Sequence, residues 1–223
     1  MTVKDSPVLL INFKTYDEGT GANALKLVKA ASFAGEAVEI IFAAQATDIR
    51  MLSKETRIPI FAQHVDPVKF GSSTGWILPE AIKSAGASGT LLNHSERRID
   101  FDTARRSLAR CRELGLRVVM CAESPEKAKE LASLRPDYIA IEPPELIGGD
   151  VSVSKARPEV ITESVQKVHA VAHVPVLCGA GVKDGEDVRK AIALGAKGIL
   201  VASGVVKSAK PLEAIKDLLA GFG

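Results

Sequence analysis

The sequence predicts an α/β protein of the (β/α)8 barrel class, a closed parallel eight-stranded sheet ringed by helices. Three observations carry the prediction. Eight short β-rich runs alternate with longer amphipathic stretches. Most of those runs are nearly continuous in apolar residues, as parallel strands covered on both faces should be. A helix–glycine–strand passage also recurs: Ala81 to Gly89 leads into Thr90-Leu91-Leu92, and Ala191 to Gly198 leads into Ile199-Leu200-Val201. The 223 residues suit one domain, read as 1–223, at the short end for a closed barrel. A doubly wound open sheet is the competing fold. It expects a glycine-rich turn after the first strand, and Asn12-Phe13-Lys14-Thr15 holds no glycine.

Strands are expected at 8–13, 38–43, 58–63, 89–93, 116–121, 137–142, 174–178 and 198–201. The stretches between them have helix punctuation. Ser124-Pro125-Glu126 sets a capping hydroxyl before a proline at the first helical position. Ile161, Val165, Val168 and Ala172 recur at helical spacing. Asp184 caps the segment bearing Val188, Ala191 and Ile192, and Gly195 turns out of it. Leu212, Ile215 and Leu219 form the last apolar stripe.

Composition excludes several classes of function. Apolar residues are 46% and charged residues 25%, an ordinary globular mix. With 29 basic and 27 acidic residues the formal charge is +2, so neither a strongly basic nucleic-acid-binding domain nor an acidic tail is expected. No apolar run approaches the roughly 18 residues of a membrane span. Met1-Thr2-Val3-Lys4-Asp5 opens no signal peptide. Cys111, Cys121 and Cys178 are odd in number and far apart, which suits a reducing cytoplasm better than a disulfide framework. No Cys/His cluster has zinc-ligand spacing, so no metal site is expected.

In a barrel, chemistry sits where strands end. Asn12 and Lys14 follow the first strand. Two apart on an extended chain, they point to one side, where lysine neutralises an anionic substrate; a solvated lysine is the competing reading. His94 follows the fourth, in Asn93-His94-Ser95-Glu96-Arg97-Arg98. If Ser95 to Arg98 turns helically, its free N–H groups face the ring and favour neutral imidazole, suited to polarising a carbonyl. A histidine merely bonded within a loop is the alternative, and Glu96, Arg97 and Arg98 read as structural ion pairs. Glu142 ends the sixth apolar run, where a carboxylate is costly without a task or a salt-bridge partner. Pro143-Pro144-Glu145-Leu146-Ile147-Gly148-Gly149 has the composition of a hinged lid. After the seventh and eighth strands, Gly179-Ala180-Gly181 and Ala202-Ser203-Gly204 let backbone approach a phosphate closely. Cys111 reads as core, and His169 and His173 as near-surface.

These strand ends together resemble triosephosphate isomerase. The matching pieces are Asn12-Phe13-Lys14, His94-Ser95-Glu96-Arg97-Arg98, Glu142-Pro143, Gly148-Gly149, Gly179-Ala180-Gly181 and Ala202-Ser203, in the family's order and across nearly the whole chain. The short length and the Glu-Pro-Pro-Glu-Leu-Ile-Gly lid resemble its archaeal branch. The resemblance implies interconversion of dihydroxyacetone phosphate and D-glyceraldehyde 3-phosphate through an enediolate, without metal or organic cofactor. It makes Glu142 the base, His94 the neutral electrophile, Lys14 the positive charge and Asn12 the orienting amide. Ile147, Gly181, Ala202 and Ser203 become the phosphate cradle. Ala180-Gly181 and Ala202-Ser203 depart from the glycine-serine and glycine-glycine that many members carry there, and the lid lacks the commoner tryptophan. Thr74-Gly75, within Gly71-Ser72-Ser73-Thr74-Gly75-Trp76, matches the loop that enters a neighbouring subunit, which implies a homodimer or homotetramer. Two other functions compete: another phosphosugar barrel such as a ribulose-phosphate epimerase-like enzyme, which would need a metal-binding set, and a silent barrel that only binds phosphorylated metabolites.

Overall fold

The computed structural model describes residues 6–31, 37–143 and 153–223. Eight strands, β1 Val8–Asn12, β2 Glu39–Ala44, β3 Ile60–Ala62, β4 Gly89–Leu92, β5 Arg117–Ala122, β6 Tyr138–Ile141, β7 Val176–Cys178 and β8 Gly198–Val201, close into one barrel. Every neighbouring pair is parallel, and Leu9 pairs with Ile40 on one side and Ile199 on the other. That closure excludes the open sheet. Each strand leads to helix: α1 Gly21–Ala30, α2 Ile49–Glu55, α3 Pro79–Ala85, α4 Phe101–Glu113, α5 Pro125–Ala132, α6 Val153–Ala156 with α7 Pro158–His169, α8 Gly185–Ala193, and α9 Ser203–Val206 with α10 Pro211–Ala220. Among the described residues no helix is long and apolar enough to cross a membrane.

The strands lie where the apolar runs are, with ends moved by one or two residues. Pro59 and Pro175 fall outside the ladders because they have no N–H to contribute; their carbonyls still accept from Phe42 and Ile139 at 3.0 Å each. The helix punctuation also holds. Ser124 accepts from the Lys127 N–H at 3.1 Å and Asp184 from the Asp187 N–H at 2.9 Å. Gly195 leaves α8 at φ +97°. The stripe of Ile161, Val165, Val168 and Ala172 runs one turn short of expectation: α7 stops at His169, and Ala172 packs from the turn beyond it.

Two apolar layers result. Val8, Leu10, Ile41, Ala43, Phe61, Leu91, Val119, Cys121, Tyr138, Ala140, Leu177 and Leu200 fill the lumen. Their alternates, such as Leu9, Ile11, Met120 and Ile139, pack under the helices together with Cys111. Side chains alternate along a strand, so the inward row predicts what lines each mouth. One step beyond Leu10, Phe61, Ala140, Leu177 and Leu200 stand Asn12, Gln63, Glu142, Gly179 and Ala202. One step before Ile41 and Val119 stand Glu39 and Arg117. There the Arg117 guanidinium makes two bonds to the Glu39 carboxylate, at 2.8 and 2.9 Å, and lies 5.1 Å from the Phe61 ring centre.

Candidate active site

The upper mouth is built by polar residues that interrupt apolar runs at the C-terminal strand ends. Glu142 follows β6 and prolongs its ladder by donating its N–H to the Ala122 carbonyl at 2.8 Å. Its side chain is buried, 3% exposed, and Oε1 stands 3.5 Å from Nε2 of His94. Among the described residues neither Glu142 Oε2 nor His94 Nε2 has a hydrogen-bond partner. A buried polar atom without a partner is costly in an ordinary core and useful where a ligand will supply the partner. Among the described residues no lysine or arginine pairs with Glu142; the basic group facing it is His94.

His94 is aimed by its surroundings. Asn93, at φ +58°, turns the chain out of β4, with its amide donating to the Cys121 carbonyl at 2.9 Å and accepting from the Ile99 N–H at 3.0 Å. Residues 95–97 form a turn rather than a helix, with the Arg97 N–H bonded to the His94 carbonyl at 2.8 Å. The turn still delivers an amide to the ring: the Glu96 N–H donates to His94 Nδ1 at 3.2 Å. Nδ1 is thus offered an N–H donor, and Nε2 faces Glu142. Glu96 bonds Lys14 at 2.8 Å. Arg97 and Arg98 face Asp66 and Glu123 at 3.7 and 3.6 Å, the structural ion pairs that the sequence suggested.

Lys14 reaches the site by a route that an extended chain does not offer. The strand ends at Asn12, and Lys14 adopts φ +47°, a left-handed conformation that costs a non-glycine residue about 1–2 kcal/mol. Two side chains hold it there. Asn12 Oδ1 accepts the Lys14 N–H at 3.0 Å, and Gln63 Nε2 donates to the Lys14 carbonyl at 2.8 Å. The ammonium is largely enclosed and bonds Glu96, so this lysine is not a solvated one.

Asn12, Lys14, Gln63, His64, His94 and Arg97 are among the residues lining an open cleft of about 310 Å³. Glu142 lines a smaller hollow beside it, with Asn93, Ser95 and Cys121. Gly181, Ala202 and Ser203 line neither; they stand on the adjoining ends of β7 and β8. Gly179 donates its N–H to the Ile141 carbonyl at 2.9 Å and packs directly on Glu142. Gly181 turns at φ +68°, where glycine is favoured. Ala202 precedes α9, whose opening N–H groups, on Ser203 and Gly204, have no helical carbonyl to bond. Ile147 and the 144–150 lid lie outside the described residues.

Burial and charge tune the neighbours. Burial pushes the His64 imidazole below its ordinary value; Arg97 adds to this, and the 3.0 Å hydrogen bond to Asp66 opposes it. Burial, then the adjacent Glu142 carboxylate, raises the Cys121 thiol well above its ordinary value. Asp66 also closes a loop, accepting the Ile77 N–H at 2.7 Å and donating its own to the Ile77 carbonyl at 2.9 Å. That loop displays Phe70 and Trp76, which are 78% and 56% exposed.

A closed (β/α)8 barrel with a carboxylate, an imidazole and a lysine at its C-terminal strand ends defines a barrel enzyme. A family model described as triosephosphate isomerase matches residues 7–218. The triosephosphate isomerase of Methanosarcina acetivorans is 48% identical over 217 residues, 96% of this chain and 98% of its own length. That of Methanobacterium bryantii is 44% identical over 220 residues, 97% of each chain. That of Saccharolobus solfataricus is 46% identical over 215 residues, 96% of this chain and 95% of its own. The chain belongs to the triosephosphate isomerase family.

Proposed function

We propose that this chain, a single barrel domain over 1–223, interconverts dihydroxyacetone phosphate and D-glyceraldehyde 3-phosphate. The observation that carries the reading is the 3.5 Å approach of Glu142 Oε1 to His94 Nε2, on two buried side chains that each keep a polar atom, Oε2 and Nε2, without a hydrogen-bond partner among the described residues. Glu142 takes a proton from the carbon beside the carbonyl. His94 donates a hydrogen bond to the carbonyl oxygen and stabilises the enediolate as it forms. The proton returns to the neighbouring carbon while the hydroxyl proton of the first carbon passes, by way of the His94 ring, to the oxygen of the second, so one C–H and one O–H bond are broken and one of each is formed. Lys14 supplies positive charge for the dianionic substrate and Asn12 orients it. Backbone N–H groups at Gly181, Ala202 and Ser203, with Ile147 from the lid, hold the phosphate. Excluding water protects the enediolate from losing phosphate.

The Thr74-Gly75 loop, with Trp76 exposed beside it, supports assembly into a homodimer or a dimer of dimers, and the odd, buried cysteines fit a cytoplasmic setting. An epimerase-like enzyme would need a metal-holding set, and no such group of three stands among the described residues. A coupled assay of glyceraldehyde 3-phosphate formation, run with and without chelator, tests the proposal. Chelator-insensitive turnover supports the isomerase. Chelator-sensitive turnover points to the epimerase-like alternative, and phosphate binding without turnover to the silent barrel.

A further inference from the structure

We propose that His169 and His173 form an exchangeable two-histidine site for a divalent transition-metal ion on the outer surface of the barrel. The inference is independent of the isomerase reading above, because the pair stands at the other end of the molecule from the cleft. α7 ends at His169 and leads to β7, which starts at Val176, so both rings lie by the N-terminal strand ends. The segment His169-Ala170-Val171-Ala172-His173 spaces them four residues apart. On a helix that spacing puts two imidazoles on one face, the arrangement that helical metal-binding motifs use. Helical winding continues past the end of α7: the Ala170 N–H bonds the Gln166 carbonyl at 3.0 Å, and the Ala172 N–H bonds the Val168 carbonyl at 2.9 Å. His173 therefore follows one turn above His169, and the ring centres stand 6.0 Å apart, tilted by 51°.

That distance suits a shared ion. A metal–nitrogen bond measures about 2.0–2.1 Å, so two rings on one ion, at angles between tetrahedral and linear, have centres about 5–6.5 Å apart. Both side chains are exposed, and small rotations about χ1 and χ2 turn a nitrogen of each toward a common point. Imidazole selects copper(II), nickel(II) and zinc ions over calcium and magnesium. The local field favours a cation as well. The pair sits at the carbonyl end of a 12-residue helix, where the helix dipole is negative. Lys167, the lysine of that last turn, is turned to Glu126 and Glu163, which take up its charge. Two protein donors leave the remaining positions to water. This is an open site, unlike the closed three- or four-ligand centres whose spacing the sequence lacks.

The test is calorimetric titration of Cu²⁺ into the full-length chain and into His169→Gln, His173→Gln and the variant carrying both changes. The two positions are exposed, so the fold tolerates the exchange. Wild type is expected to take up a copper ion that the doubly substituted chain does not, with an electron paramagnetic resonance spectrum split by both imidazole nitrogens. Each single variant should bind that ion about 100-fold more weakly, because the second imidazole of a chelating pair acts at high effective concentration. A loss under about tenfold in either single variant would overturn the proposal. So would equal copper uptake by wild type and the doubly substituted chain, or no uptake by wild type: the rings would then be neighbours by packing alone.

Discussion

Replacing Gly179 by alanine should separate the position of the Glu142 carboxylate from its presence. A Cβ on Gly179 would lie 2.6 Å from Glu142 Cγ, 3.3 Å from its Cδ and 3.2 Å from the Ile141 carbonyl oxygen. Ordinary contact between carbons begins near 3.5 Å, so the Glu142 stem has to retreat by about 1 Å. The barrel backbone, locked by the ladder bonds of Glu142 and Gly179, gives less readily than the side chain. Retreat moves the carboxylate off the line on which it faces His94 and the carbon between them. A displacement of about 1 Å in a reacting group costs on the order of 100-fold in rate. Gly179→Ala is therefore expected to lose about 100-fold in kcat in the coupled assay, a larger effect than any change in KM. Overpacking should lower stability by about 1–3 kcal/mol, read from urea unfolding. A Gly179→Ala enzyme with wild-type kcat would refute the reasoning, since it would mean that the carboxylate needs no support from that side.

Other expectations follow from the same geometry. Glu142→Gln keeps the shape and removes the proton acceptor, so turnover should fall by several orders of magnitude, about 10²–10⁴ for an acid–base group; an undiminished rate would discard the assigned base. His64 is held below its ordinary value of 6.5 chiefly by burial, so the unfolded chain binds a proton before the folded one as pH falls through that value. Stability should decline between about pH 7 and pH 5, and urea titrations of His64→Gln should show a shallower decline; identical slopes would contradict this. Burial, as the leading cause, pushes the Cys111 and Cys178 thiols up to about 12. Thiol-specific reagents should label no cysteine in the native protein and all three on unfolding, since all three are buried.

Much of this architecture is legible in the residues alone, for a reason that also marks the limit. Strands buried on both faces have to be apolar throughout, so Val8-Leu9-Leu10-Ile11 or Ile139-Ala140-Ile141 announce themselves without any partner in view. The polar residues that end such runs, Asn12, His94 and Glu142, stand out against that background. Gln63 ends a run in the same way, but its role depends on a carbonyl 49 positions away, and nothing local signals it. The left-handed turn at Lys14 is hidden for a related reason: a lysine there is locally unfavourable, and tertiary bonds from Asn12 and Gln63 override the preference. The turn after His94 was readable as a source of amide hydrogens, although a single turn rather than a helix supplies them.

The Arg117–Glu39 pair beneath Phe61 makes the barrel a flask with one neck. Among the described residues the lumen between that pair and the upper mouth is filled by apolar side chains. A ligand held in the upper mouth therefore meets a packed floor, and its shielding from water has to come from the rim.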